Sequence, residues 1–189
     1  AAIIACNTAT VAAWPEIQGR FPFPILGMVQ AGIRAAASVT RNRRVGVIAT
    51  LGTVVSGAYV ALAGRDNQVQ VWQQACDGLP LLVERGELEG PETARVVSAC
   101  VQPLLSHRVD TLVLACSHLP FLRPVIAEAA GDDVALVDPA EEVVRELARL
   151  LRERNLLASG TAGGIRAFTS GDPEGFARVA RFLLGEDLE

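Results

Sequence analysis

Two segments of this sequence, Val45-Gly46-Val47-Ile48-Ala49 and Asp110-Thr111-Leu112-Val113-Leu114-Ala115, are apolar or small at most positions. A strand with one face in water alternates polar and apolar residues. A strand apolar on both faces must lie between two covering layers, the situation of a parallel sheet with helices on either side. Each segment stops abruptly at polar residues, Thr50 in one case and Cys116-Ser117-His118 in the other. Ala1-Ala2-Ile3-Ile4-Ala5 has the same character and stops at Cys6-Asn7-Thr8.

Between these strands the pattern turns helical. Helices are predicted after Cys6-Asn7-Thr8 to about Ile17, over residues 31–39, from Ser56 to Ala63, from Pro91 to Ser106, after His118 to about Ala130, over 140–154 and from Pro173 to Leu184. Further strands are predicted at Ile25–Val29, Val69–Gln73, Val134–Val137 and Ile165–Thr169, with Cys76–Gly90 less regular. Strands alternating with helices give an α/β fold with mostly parallel sheets. Ligands of such sheets bind where the strands' carboxyl ends meet the loops, which is where Cys6, Thr50 and Cys116 fall.

The segment Ile3-Ile4-Ala5-Cys6-Asn7-Thr8 parallels Val113-Leu114-Ala115-Cys116-Ser117-His118. Each is an apolar strand followed by Ala-Cys and two polar residues. The repetition predicts two similar lobes, residues 1–27 plus 139–189 and residues 28–138, with the two thiols on opposite sides of one cleft.

Composition removes several classes of function. The 189 residues carry a net charge of −4, and the one basic run, Arg41-Asn42-Arg43-Arg44, reads as a solvated turn before a strand. Nucleic-acid binding normally leaves a clustered basic footprint, so no nucleic-acid partner is expected. Although half of the residues are hydrophobic, no apolar run approaches the roughly 18 residues of a membrane span. No secretory leader is recognisable. The expectation is a soluble cytoplasmic protein whose four cysteines, Cys6, Cys76, Cys100 and Cys116, are free thiols. All 17 basic Lys or Arg residues are arginine. Pyridoxal phosphate needs a lysine amine for its Schiff base, and this sequence offers none, so amino-acid chemistry here would run without that cofactor.

Two acid/base groups on opposite faces of a carbon can invert it by removing a proton from one side and returning one on the other. Thiols suit the task because their pKa of about 8.5 can be tuned toward neutrality, and an imidazole in the same loop, His118, can set the balance. Other readings of the same residues are buried core cysteines, a metal site using Cys6, Cys116 and His118, and a thiol hydrolase with His118 as base. Gly160-Thr161-Ala162-Gly163-Gly164 is glycine-rich but precedes a predicted strand, so it supports phosphate binding only weakly.

At these residues the sequence resembles the glutamate racemases of the aspartate/glutamate racemase superfamily. Residues Ile3–Thr10 and Asp110–His118 resemble the family's two catalytic motifs, Val47–Thr50 with Thr53-Val54 its middle strand motif, and Val83-Glu84 its acidic segment. Thr169-Ser170-Gly171-Asp172 with Phe176 resembles its C-terminal signature. The resemblance implies that Cys6 handles the α-proton of D-glutamate and Cys116 that of L-glutamate. Asn7, Thr8, Ser117 and His118 would bind the amino and carboxylate groups, Thr53 would touch the α-carboxylate, and Glu84 would be a secondary acid/base or orienting residue. No metal or organic cofactor is implied, and a homodimer is. The activity would supply D-glutamate to peptidoglycan. Histidine at 118 points to glutamate over aspartate, hydantoin or malonate substrates; a non-catalytic protein holding an acidic ligand on the same fold is the reading of a different class. The sequence departs from the family at Ser117 (usually threonine), at Leu119 (usually tyrosine) and at Asp77-Gly78-Leu79, which separate Cys76 from Pro80. The family's opening strand with its Asp-Ser pair and its Pro-Tyr loop have no counterpart. The expectation is an N-terminally incomplete chain, inactive or very weak by itself.

Overall fold

The protein's computed structural model describes residues 1–64, 69–160 and 163–185. Among the described residues six strands, β1 (Ala2–Ile4), β2 (Ile25–Gly27), β3 (Arg44–Ala49), β4 (Gln70–Ala75), β5 (Thr111–Ala115) and β6 (Ala135–Val137), form two sheets. One pairs β1 with β2 and the other has the order β4-β3-β5-β6. Every pairing is parallel. The helices are α1 (Asn7–Ile17), α2 (Met28–Val39), α3 (Leu51–Val55), α4 (Ala58–Leu62), α5 (Gly78–Glu84), α6 (Pro91–Leu105), α7 (Arg123–Ala130), α8 (Pro139–Glu153) and α9 (Pro173–Leu184), with a 3-10 turn at Leu119–Leu122. The fold is therefore α/β, with parallel sheets flanked by helices.

The two-faced apolarity of β3 and β5 is used as the sequence implies. Val45, Val47, Ala49, Val113 and Ala115 face one core with Ile33, Ala36 and Tyr59 of α2 and α4. Ile48, Leu112 and Leu114 face the opposite core with Leu79, Val97, Val101 and Ile126 of α5, α6 and α7. At about 25 cal/mol per Å² of apolar surface, each fully buried Leu, Ile or Val contributes about 1.5–3 kcal/mol, so the central sheet is the stable platform on which the loops sit. Gly46 lets α6 approach: a Cβ there would lie 2.5 Å from Leu112 Cδ2 and 3.2 Å from Leu104 Cδ1. A third, smaller core joins Leu26 and Met28 to Val143, with Leu147 and Leu150 of α8 packed against it.

The basic run before β3 is no free patch. The Asp110 carboxylate accepts from the Arg41 and Asn42 backbone N–H groups and from the Thr40 hydroxyl. The Arg44 guanidinium stacks 4.5 Å over the Trp72 ring.

The structure corrects four expectations. Ile165–Thr169 is not a strand: it has no regular structure, and Phe168 is 88% exposed. Its apolar residues satisfy local propensity but meet no sheet edge. The helix predicted at Ser56–Ala63 begins only at Ala58, after Gly57, whose φ of +65° separates α4 from α3, a short helix the sequence pattern does not show. The irregular stretch after Cys76 contains α5. Finally, Cys76 and Cys100 are not free thiols but form a disulfide, their Cα atoms 6.0 Å apart where α6 packs beside the end of β4. Cys6 and Cys116 are free. A thiol reagent applied to the native protein without reductant is expected to count two reactive thiols, and four after reduction and denaturation; a native count of four would exclude the Cys76–Cys100 link. In the glycine-rich stretch at 160–164, Thr161 and Ala162 lie outside the described residues. No helix among the described residues is long and apolar enough to cross a membrane.

Candidate active site

The register of the large sheet sets three loops level. Ala49 lies opposite both Ala75 and Ala115, so Thr50, Cys76 and Cys116 are the next residues on three neighbouring strands at their carboxyl edge. Strands in a sheet lie about 4.8 Å apart, which makes the Thr50 and Cys116 corners immediate neighbours.

The β1 corner is tied to the same edge. The Thr8 hydroxyl lies 2.6 Å from the Thr50 hydroxyl and 3.0 Å from that of Thr53, and Thr50 and Thr53 lie 3.4 Å apart. Thr53 is fully buried, and Thr8 and Thr50 are half-buried. The three hydroxyls hold the loop after Cys6 against the loop after β3. Chain separations of 42 and 45 residues between these partners make this a tertiary clasp.

Cys6 is exposed and caps α1, its Sγ accepting from the Ala9 backbone N–H at 3.4 Å. That position places the sulfur at the positive end of a helix, beside its unpaired backbone N–H groups. Asn7, next along, is 2% exposed, and its Oδ1 accepts a 2.8 Å hydrogen bond from the Tyr59 hydroxyl.

On the other side Cys116 is half-buried, its Sγ 3.7 Å from His118 Nδ1. The far ring nitrogen, His118 Nε2, lies 2.7 Å from Glu84 Oε1 at the end of α5. Ser117, between the two, is exposed. The thiol, imidazole and carboxylate thus form a chain drawn from β5 and α5. Its effect on His118 is large: the hydrogen bond to Cys116, opposed by partial burial and reinforced by Glu84, raises the imidazole pKa from 6.5 to about 9. His118 is a cation at neutral pH, with the Cys116 sulfur 3.7 Å from its Nδ1.

Five of the residues singled out from sequence are therefore linked in two groups, Thr8 with Thr53 and Cys116 with His118 and Glu84. Cys6 stands two residues from the first group, Asn7 is turned to Tyr59, and Ser117 is exposed beside the second. Among the described residues no three His, Cys, Asp or Glu side chains gather as a metal site. Thr50, placed by sequence at the strand edge but given no role, joins the clasp, and Tyr59 is a site residue that sequence reasoning misses. Its signal is weak. It is the chain's single tyrosine, set among small and apolar residues, and a buried tyrosine hydroxyl needs a partner.

Residues 1–147 match the Asp/Glu/hydantoin racemase family. A glutamate racemase of Pseudomonas putida strain KT2440 is 46% identical over 185 residues, 97% of this chain and 69% of that protein. The crystal structure of glutamate racemase isoform RacE1 from Bacillus anthracis superposes with a TM-score of 0.94 at 34% identity, covering 100% of this chain and 71% of that one. The glutamate racemase of Francisella tularensis, solved in complex with D-glutamate, superposes with a TM-score of 0.89 at 26% identity, covering 99% of this chain and 70% of that one. Two thiol corners on a parallel α/β scaffold, one carrying an imidazole and a carboxylate, thus come with agreement in sequence and in fold, and the chain belongs to the Asp/Glu/hydantoin racemase family, on its glutamate racemase branch.

Proposed function

We propose that this protein interconverts L- and D-glutamate by a two-base mechanism without an organic or metal cofactor, with Cys6 serving the α-proton of D-glutamate and Cys116 that of L-glutamate. The observation that carries the reading is the Cys116–His118–Glu84 chain set one strand from the corner to which the Cys6 loop is clasped. In the L-to-D direction the Cys116 thiolate takes the α-proton, leaving a planar carbanion delocalised into the carboxylate. The Cys6 thiol returns a proton to the opposite face. The reverse direction exchanges the roles, so each turnover leaves the thiol and thiolate on opposite sides from where they began. His118 supports Cys116 through the contact between its Nδ1 and the sulfur, and Glu84 holds the imidazole in place. Thr8, Thr53, Ser117 and His118 are assigned to the substrate's amino and carboxylate groups, as is the Asn7 amide. The protein is assigned to the cytoplasm as a homodimer that supplies D-glutamate for peptidoglycan.

The test is solvent exchange. Incubated in D₂O with either enantiomer of glutamate, the full gene-encoded protein is expected to put deuterium on the α-carbon of the opposite enantiomer, and to act on aspartate at least about a hundredfold more slowly, since a site built around the wrong polar partners loses several kcal/mol. Faster exchange with aspartate would move the assignment to another superfamily substrate. Binding of glutamate with no exchange would leave a non-catalytic acidic-ligand protein.

A further inference from the structure

We infer that Tyr59 is a positioning residue for substrate binding, acting by fixing which end of the Asn7 side-chain amide is offered to glutamate; this rests on the assignment of Asn7 to the substrate in the function proposed above. Tyr59 and Asn7 are 52 residues apart, on α4 and α1, and are joined by a 2.8 Å hydrogen bond from the phenol to Asn7 Oδ1. Tyr59 is fully buried and Asn7 is 2% exposed, so neither group can exchange the other for bulk water. An asparagine amide is nearly symmetric in shape but not in chemistry, with an acceptor at one end and two donors at the other. With Oδ1 held by a donor, the group left for a ligand is the Nδ2 pair, which suits a carboxylate and repels an ammonium. The phenol is itself held as a donor: burial, with the Asp138 charge adding to it, pushes its pKa far above the ordinary range. The surrounding chain makes room for the hydroxyl. Gly32 of α2 faces it, and a Cβ at that position would lie 2.7 Å from the Tyr59 oxygen.

Tyr59→Phe keeps the ring and deletes only the O–H. The test measures kcat and KM in both directions for Tyr59→Phe, Asn7→Ala and the double variant of the full gene-encoded protein, with melting temperatures alongside. The expected result is a KM for glutamate raised about fivefold to tenfold by Tyr59→Phe, the worth of one such hydrogen bond, with kcat within about twofold. Asn7→Ala should raise KM at least as much, and adding Tyr59→Phe to it should change KM no further. A merely structural tyrosine would lower stability or the active fraction without this split in KM and without the loss of additivity. If Asn7→Ala raises KM and Tyr59→Phe does not, or if the two effects add in full, the positioning role is overturned while the substrate assignment of Asn7 stands. If Asn7→Ala leaves KM unchanged, that assignment falls and the inference with it. Gly32→Ala, which crowds the hydroxyl without removing it, supplies a second variant and is expected to raise KM in the same way; unchanged KM there together with an unfolded Tyr59→Phe would also overturn the proposal.

Discussion

Replacing either Cys116 or Cys6 by serine is expected to lower racemisation by about 10²–10⁴-fold, the usual worth of a positioned acid/base group. The substitutions are close to isosteric, so the loss should come from proton transfer and not from the fold. At position 6 this can be argued from the helix start. Sγ accepts the Ala9 N–H, and a serine hydroxyl is among the best groups for that N-cap role, so α1 keeps its cap. At position 116 the sulfur is half-buried beside the core of Leu114, Leu119 and Leu122, and the smaller oxygen leaves at most a minor void. What changes is acidity: an alkyl hydroxyl is far less acidic than a thiol and cannot carry the anion that proton abstraction needs. The readout is chirally resolved turnover with deuterium wash-in from each enantiomer, with unchanged circular dichroism as the control. The two sites should also fail differently. In Cys6→Ser the Cys116 thiolate still meets L-glutamate, so wash-in to L-glutamate can outlast its conversion to D-glutamate, and Cys116→Ser should show the mirror image. Either variant retaining racemisation within about threefold of the unaltered protein would be far outside the range for an acid/base group and would end the two-thiol mechanism.

How much of this was legible beforehand follows from the range of the interactions involved. The both-face apolarity of Val45–Ala49 and Thr111–Ala115 is local, and it fixed the sheet class. The polar break after each strand is local too, and it placed Thr50 and Cys116 at one edge. What could not be read is what depends on helices landing beside each other. The His118–Glu84 bond spans 34 residues and needs α5, in a stretch whose sequence reads as irregular because Pro80 and Gly78 obscure its helical period. The Cys76–Cys100 link needs α6 to pack beside the end of β4. Ile165–Thr169 misled in the other direction: β-propensity describes a surface that fits a sheet, and no sheet edge is there to receive it. The Gly57 break was readable only weakly, since one glycine inside a helical pattern is often tolerated. The clasp of Thr8 on Thr50 and Thr53 joins residues that were each noticed separately, and only the tertiary fold turns them into one group.

The second large effect concerns the His118–Glu84 pair. Its hydrogen bonds to Cys116 first, then to Glu84, hold the His118 imidazole at about 9 instead of 6.5. A group whose pKa is raised on folding contributes stability that is fully present below the unfolded value and is lost as pH rises through the folded one. The protein is therefore expected to lose this contribution between about pH 6.5 and 9, and His118→Asn, which cannot titrate, should flatten that part of its stability–pH curve. The same titration reaches catalysis. While His118 is a cation it attracts the substrate carboxylate to which it is assigned, so kcat/KM from L-glutamate should carry an alkaline limb set by His118. Glu84→Gln keeps a hydrogen-bond acceptor but removes the charge. His118 is then held up chiefly by Cys116, and the alkaline limb should move to lower pH. At neutral pH the rate should fall about tenfold, since a hydrogen bond involving a charged group is worth about 1.5 kcal/mol; His118→Asn should cost more, on the order of a hundredfold, because it removes the charge next to the thiol. Glu84 is exposed, so solvent screening limits what its charge can add, and the larger loss belongs to His118. The pH dependence of kcat/KM from L-glutamate checks both variants. An alkaline limb that does not move in Glu84→Gln, together with a neutral-pH rate within about twofold, would mean that the carboxylate rests on the imidazole without influencing the thiol it faces.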